Sequence, residues 1–117
     1  MALKFEELKV WQKALDLSLM EHNATLNFPK DEQFILTPQI KRAADSVSLN
    51  IAEGSTGQSD TEFSRFLGYA LRSSIEVISC IHLAQKRKLI SSEDFNSIYN
   101  FTTEIIKMIQ ALRKSLK

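Results

Sequence analysis

Glycine and proline are nearly missing from this chain: three Gly and two Pro in 117 residues. Both fall below ordinary usage and leave little material for tight hairpin turns, which argues against an all-β fold. Cysteine is rarer still. Cys80 stands alone, so no intrachain disulfide can form, and a reducing, cytoplasmic setting is expected. Charge of one sign is not in excess: 15 Lys+Arg face 14 Asp+Glu, for a net charge of +1. Nucleic-acid binders usually carry a basic excess or a basic face, so only a local patch would serve that role here. No stretch approaches the ~20 apolar residues that cross a bilayer, and no membrane partner is expected. The first ten residues, with Lys4, Glu6, Glu7 and Lys9, lack the apolar run of a signal peptide.

What is present is helical periodicity within an ordinary globular composition, 44% hydrophobic and 25% charged. The length fits one domain over residues 1–117. A first helix is expected from about residue 6 to about residue 26. Its apolar face is read as Leu8, Trp11, Ala14, Leu15, Ser18 and Met20, widened by Val10 and Leu17. Asn27-Phe28-Pro29 should end it. Residues 31–34 suggest a short helical turn. Thr37-Pro38 reads as a cap and first helical position, opening a second helix to about residue 53. Ile40, Ala43, Ala44, Val47 and Ile51 form its apolar face. Gly54 is read as a left-handed terminator. A polar loop through Gln58 follows. Ser59 and Glu62 match a capping box for a third helix reaching about residue 88, roughly 44 Å at 1.5 Å per residue. Such a length implies an elongated molecule. Ser91 or Ser92 caps a fourth helix, with an apolar stripe from Phe95 to Leu116 and late cations suited to the helix dipole. Short connections make consecutive helices antiparallel neighbours, so the fold class is an all-α, up-and-down four-helix bundle.

Residues 63–84 are apolar at more than half their positions, too many for one stripe facing one core. Either the third helix is simply the most central of the four, or a second subunit covers it; self-association is the expectation. On the second helix Arg42, Ser46, Asn50 and Glu53 follow one flank, with Glu62 placed to join them from the third. They suggest a structural hydrogen-bonded network between helices or subunits, or else a solvated face. Lys86, Arg87 and Lys88 end the third helix, near the start of the second, where Lys41 and Arg42 lie. Five cations at one end are a candidate nucleic-acid-binding rim; the plainer reading is dipole complementation and solubility.

Catalytic patterns are poor. His22 and His82 stand apart, and no Glu-x-x-His pair or Gly-rich phosphate loop occurs. Glu53, Glu62 and Glu76 would converge only if the helices aligned suitably. Cys80 lies among apolar residues, as an inert thiol does. No enzyme activity, metal or cofactor is expected.

Three segments carry a family resemblance. Phe5-Glu6-Glu7-Leu8-Lys9-Val10-Trp11-Gln12-Lys13-Ala14, then Gln39-Ile40-Lys41-Arg42-Ala43-Ala44-Asp45-Ser46-Val47 with Asn50-Ile51-Ala52-Glu53-Gly54, and Glu62-Phe63-Ser64-Arg65-Phe66-Leu67 with Ala70-Leu71 and Ser73-Ser74, resemble in order and spacing the four-helix bundle proteins encoded by intervening sequences in bacterial 23S ribosomal RNA genes. The resemblance implies a left-handed up-and-down bundle and a homopentameric, barrel-like ring. It also implies kinship with the basic accessory protein of diversity-generating retroelements, which binds nucleic acid and a reverse transcriptase. Leu49 replaces a proline frequent in the signature, and Gln58 a frequent basic residue. The functional expectation is a non-enzymatic oligomeric scaffold that presents its basic rim to RNA, DNA or a ribonucleoprotein. The alternative is a protein-only interaction module.

Overall fold

A computed structural model describes residues 3–57 and 59–117; Gln58, read above as part of the second loop, lies outside them. Among the described residues are four α-helices and no strand: α1 (Lys9–Thr25), α2 (Leu36–Ser55), α3 (Asp60–Lys86) and α4 (Ser92–Ser115). Two 3₁₀ turns, Lys4–Glu7 and Lys30–Phe34, precede α1 and α2. The helices pack as an antiparallel bundle in which each touches its chain neighbour and α1 closes on α4. The bundle is elongated, 43 × 23 × 21 Å, because α3 alone runs 27 residues.

Helix starts follow local chemistry in the second half of the chain. Ser59 Oγ accepts from the Glu62 N–H at 3.1 Å, and Ser91 Oγ accepts from the Asp94 N–H at 3.0 Å. The start of α2 differs from expectation. Thr37 is not its cap: the helix begins at Leu36, behind Ile35, and the Thr37 hydroxyl is buried with no partner among the described residues. Leu36 is 1% exposed, and seating it in the core draws the helix upstream. Pro38 tolerates this because first-turn amides need no intrahelical acceptor.

Gly54 also differs. It lies within α2, and no glycine among the described residues has a positive φ. Its role is steric: a Cβ built there would meet Phe66 Cβ of α3 at 2.5 Å and Phe63 Cδ1 at 3.1 Å. The left-handed residue is instead Lys88, with φ 60°, just past the end of α3. There Leu89 N–H donates to Ala84 O at 2.9 Å and Lys88 N–H to Gln85 O at 3.0 Å, the paired bonds of a Schellman ending.

Helix α1 turns inward the Val10, Ala14 and Leu17 part of the face read from sequence, together with two polar residues that reading did not include. Its buried residues are Val10, Ala14, Leu17, Glu21 and Thr25. Of the face read from sequence, Val10, Ala14 and Leu17 are buried, while Leu8, Trp11, Ser18 and Met20 are half-buried and Leu15 is exposed. Glu21 is 1% exposed, and its Oε2 accepts from the Thr25 hydroxyl at 3.0 Å. Burial pushes the Glu21 carboxyl above its ordinary 4.5, and Asp45 adds to the rise; the Thr25 bond and Lys41 oppose it.

Three outcomes follow from this packing. Gly54→Ala should lower stability by about 1–2 kcal/mol in urea denaturation despite alanine's helix propensity, because Phe66 Cβ sits too near its own backbone to swing aside. Lys88→Gly should raise stability by about 0.5–1 kcal/mol, since glycine takes the left-handed region without the Cβ clash. For Glu21, the folded chain holds its proton more tightly than the unfolded chain. Stability therefore falls as pH rises from 4.5 through the raised value, and the full cost persists above it. Melting curves of Glu21→Gln against the parent should move in the variant's favour from pH 4 to pH 7; a constant difference would contradict the buried carboxyl.

Candidate interaction surfaces

The five cations of the rim occupy one half of the bundle but do not form a single cluster. Lys41 turns toward α1, and its Nζ donates to His22 Nδ1 at 2.9 Å. Arg42 lines a concavity of about 320 Å³ between α2 and α3, with Ile35, Gln39, Ser46 and Glu76. Arg87 turns to the 3₁₀ turn before α2, its Nη1 3.3 Å from Glu32 Oε1. Lys86 and Lys88 remain together, bordering an open concavity of about 750 Å³ with Ser79, His82, Leu83 and Gln85. Among the described residues no carboxylate lines that concavity. The same end carries acids as well: Asp31 and Glu32 in the 3₁₀ turn, Glu93 and Asp94 in the first turn of α4. The rim is thus of mixed sign, with Lys86 and Lys88 as its basic part.

The polar flank of α2 bonds to itself. Ser46 Oγ donates to Arg42 O at 2.7 Å, and Asn50 Nδ2 donates to Ser46 O at 2.8 Å. Ser and short amides on helices commonly donate to carbonyls one turn back, as both do here. Arg42 and Glu53 are exposed. Glu62 lies in the first turn of α3, its Oε1 beside Gly57. Among the described residues no side-chain hydrogen bond joins this flank to Glu62 within the chain.

The other titratable groups have structural surroundings. Glu62 and Glu76 are fourteen residues apart on one helix, about 21 Å along its axis, and do not converge. His82 is exposed and meets the rings of Phe95 and Tyr99 edge-on, at 5.1 and 6.2 Å. Cys80 is buried, and burial raises its thiol pKa, with Glu76 adding to the rise. Among the described residues no group of three His, Cys, Asp or Glu could hold a metal, and no helix is long and apolar enough to cross a membrane.

The monomer hides much of α3. Of its apolar residues between 63 and 84, only Tyr69 (41%), Ile75 (53%) and Leu83 (42%) are exposed. The remainder are buried or half-buried, because α3 packs against both α2 and α4. The apolar surface left open elsewhere includes Leu15, which the sequence placed on the core face, and leucines that periodicity did not single out. On α1 and its ends, Leu15 (44%), Leu19 (59%) and Leu26 (66%) face outward, as does Leu49 (65%) on α2.

Comparison with known proteins agrees with this architecture. A crystal structure from Bacteroides thetaiotaomicron VPI-5482, a protein of unknown function from the S23 ribosomal protein family, superposes with a TM-score of 0.81 at 29% sequence identity. The alignment covers 90% of this chain and 98% of that one. No curated protein matches. The profile of the 23S rRNA-intervening sequence proteins matches residues 6–111, nearly the whole bundle, and the chain belongs to the 23S rRNA-intervening sequence protein family.

Proposed function

We propose that this protein is a non-enzymatic, self-associating adaptor of the cytoplasm whose Lys86 and Lys88 end meets an anionic partner, RNA or a ribonucleoprotein. The observation that carries the reading is apolar surface left outside a closed core. Ile51, Leu67, Ile81 and Ile105 are fully buried, yet leucines of α1 and α2 and Tyr69, Ile75 and Leu83 of α3 remain open to water. Where such exposed apolar side chains gather into a patch, they mark an interaction site. A ring of five copies is the assembly the family resemblance implies, and it would repeat the two lysines around a rim. Lys86 and Lys88 suit phosphate because neither forms an ion pair within the described residues, whereas Arg87 is engaged by Glu32.

The mixed sign of the rim favours a second reading, a module that binds protein alone. Light scattering coupled to size exclusion separates the possibilities, with RNA binding titrated against salt. The expected result is a particle several times heavier than the 13.3 kDa chain, with affinity for structured RNA that falls steeply as salt rises. Lys86→Glu with Lys88→Glu should reduce the salt slope by about one per lysine. A 13.3 kDa particle at all concentrations would remove the assembly. Absence of RNA affinity at low salt would leave the protein-only module.

A further inference from the structure

The chain carries a net charge of only +1, yet its cations are unevenly placed. Residues 63–75 of α3 and 105–117 of α4 hold Arg65, Arg72, Lys107, Arg113, Lys114 and Lys117, and no acidic side chain. The fold sets these segments side by side. His82 against Phe95 and Ser64 against Arg113 fix one antiparallel register for the two helices, so Arg72 comes level with Ile105 and Lys107 with Ala70. Ser64 and Lys86 are twenty-two residues apart on α3, about 33 Å along its axis, so this basic surface is separate from the Lys86 and Lys88 end. The dipole of α4 accounts for cations in its last turn, but that effect fades within a turn and does not reach Arg72 or Lys107.

Arg113 is seated in the groove between the two helices. Its Nε donates to Ser64 Oγ at 3.4 Å, and Gly68 lies beneath its guanidinium. A Cβ built at Gly68 would stand 3.3 Å from Nη2, 3.4 Å from Cζ and 3.6 Å from Nη1, so the group lies nearly flat over the glycine. Glycine is disfavoured inside a helix, and here its bare Cα gives the guanidinium room. Arg113 forms no ion pair among the described residues, and Nη1 and Nη2 find no acceptor among them. The guanidinium borders a concavity of about 260 Å³ with Ser64, Leu71, Gln110, Lys114 and Lys117. Arg72 follows Gly68 by four residues, on the same face of α3. Arg65 instead leans over the ring of Phe66, 5.7 Å from its centre. The acids that flank the two segments turn elsewhere. Asp60 and Glu62 border the loop before α3, Glu76 borders the α2–α3 concavity, and Glu104 pairs with Lys13.

We infer that the α3–α4 groove binds a phosphate group, received by the Arg113 guanidinium with Lys114 and Lys117 beside it. A guanidinium whose two terminal nitrogens are open matches two oxygens of a phosphate. A single carboxylate would satisfy that fork and leave the charge of both lysines unmatched, whereas a phosphate, or two linked phosphates, carries negative charge for all three groups. The phosphate of an RNA backbone and that of a free nucleotide present the same chemistry to the groove. The site is independent of the self-association and of the Lys86 and Lys88 contact proposed above.

The test is calorimetric titration of the intact chain with inorganic pyrophosphate, on variants whose helicity is first checked by circular dichroism. Pyrophosphate should bind the parent, and Arg113→Gln should weaken it about tenfold or more. Arg113→Lys keeps the charge without the fork and should recover only part of that loss. Gly68→Leu places a side chain where the guanidinium rests and should weaken binding while the helix is kept. Lys86→Glu with Lys88→Glu should leave pyrophosphate affinity unchanged at about 0.1 M salt, where charges so distant are screened. Competition with a single-stranded oligouridylate then separates the sources. Displacement of pyrophosphate identifies an RNA backbone as the ligand; no displacement, with the Arg113 dependence intact, identifies a small phosphorylated molecule. The phosphate site is overturned if pyrophosphate does not bind the parent, or if either Arg113→Lys or Gly68→Leu binds it as tightly as the parent does. RNA affinity carried by Lys86 and Lys88 alone would then leave the earlier proposal standing.

Discussion

The close approach of α2 and α3 is the constraint on which the rest of the bundle depends. Their interface is the most extensive in the molecule. Small residues are buried on both helices, Ala43, Ala44 and Gly54 on α2 and Ala70 and Ser74 on α3, and Gly54 lies directly against Phe66 and Phe63 of α3. Short side chains bring two helix axes together, and large ones from α1 and α4 then fill the remaining space. The short loop joining α2 to α3 belongs to the same constraint: Gly57 N–H donates to Gly54 O at 3.1 Å, and Ser59 caps α3 directly afterwards.

With α2 and α3 fixed, α1 packs chiefly against α2 and along one edge of α4. Lys13 holds that edge, 3.1 Å from Glu104 and over the ring of Phe101. The side of α1 left outward is therefore chosen by its neighbours rather than by its own composition. A buried carboxyl is retained inside, relieved by Thr25 and by the nearby Lys41. The leucines that would ordinarily fill such a core are displayed instead. The same surface logic separates the cations of the far end. Lys41 is drawn to His22 and Arg87 to Glu32, which leaves Lys86 and Lys88 beside the concavity under His82. The surface thus includes an apolar part on α1 and α2 and a basic part at Lys86 and Lys88.

Much of this was legible from residues alone. The apolar faces of α2 and α4, the serine caps of α3 and α4, the turn at residues 31–34 and the elongated shape all follow from spacing and capping chemistry, because each depends on neighbours within a few residues. The candidate site was legible only in outline. The grouping of cations at one end came from antiparallel order, but their separation into pairs with His22 and Glu32 depends on side-chain directions that spacing does not contain. The period of the polar flank of α2 suited a network between helices or subunits as well as a solvated face; within the chain, the bonds of Ser46 and Asn50 close on their own helix.

Local propensity and hydrophobic period thus determined the number of helices, most of their boundaries and their antiparallel order, since these are set by short-range hydrogen bonding and by which positions are apolar. Tertiary packing alone decided which of two apolar rows on α1 faces inward, that Gly54 serves contact rather than termination, and that the left-handed residue is a lysine. Those outcomes depend on the space another helix leaves, and that space does not exist until the helices meet.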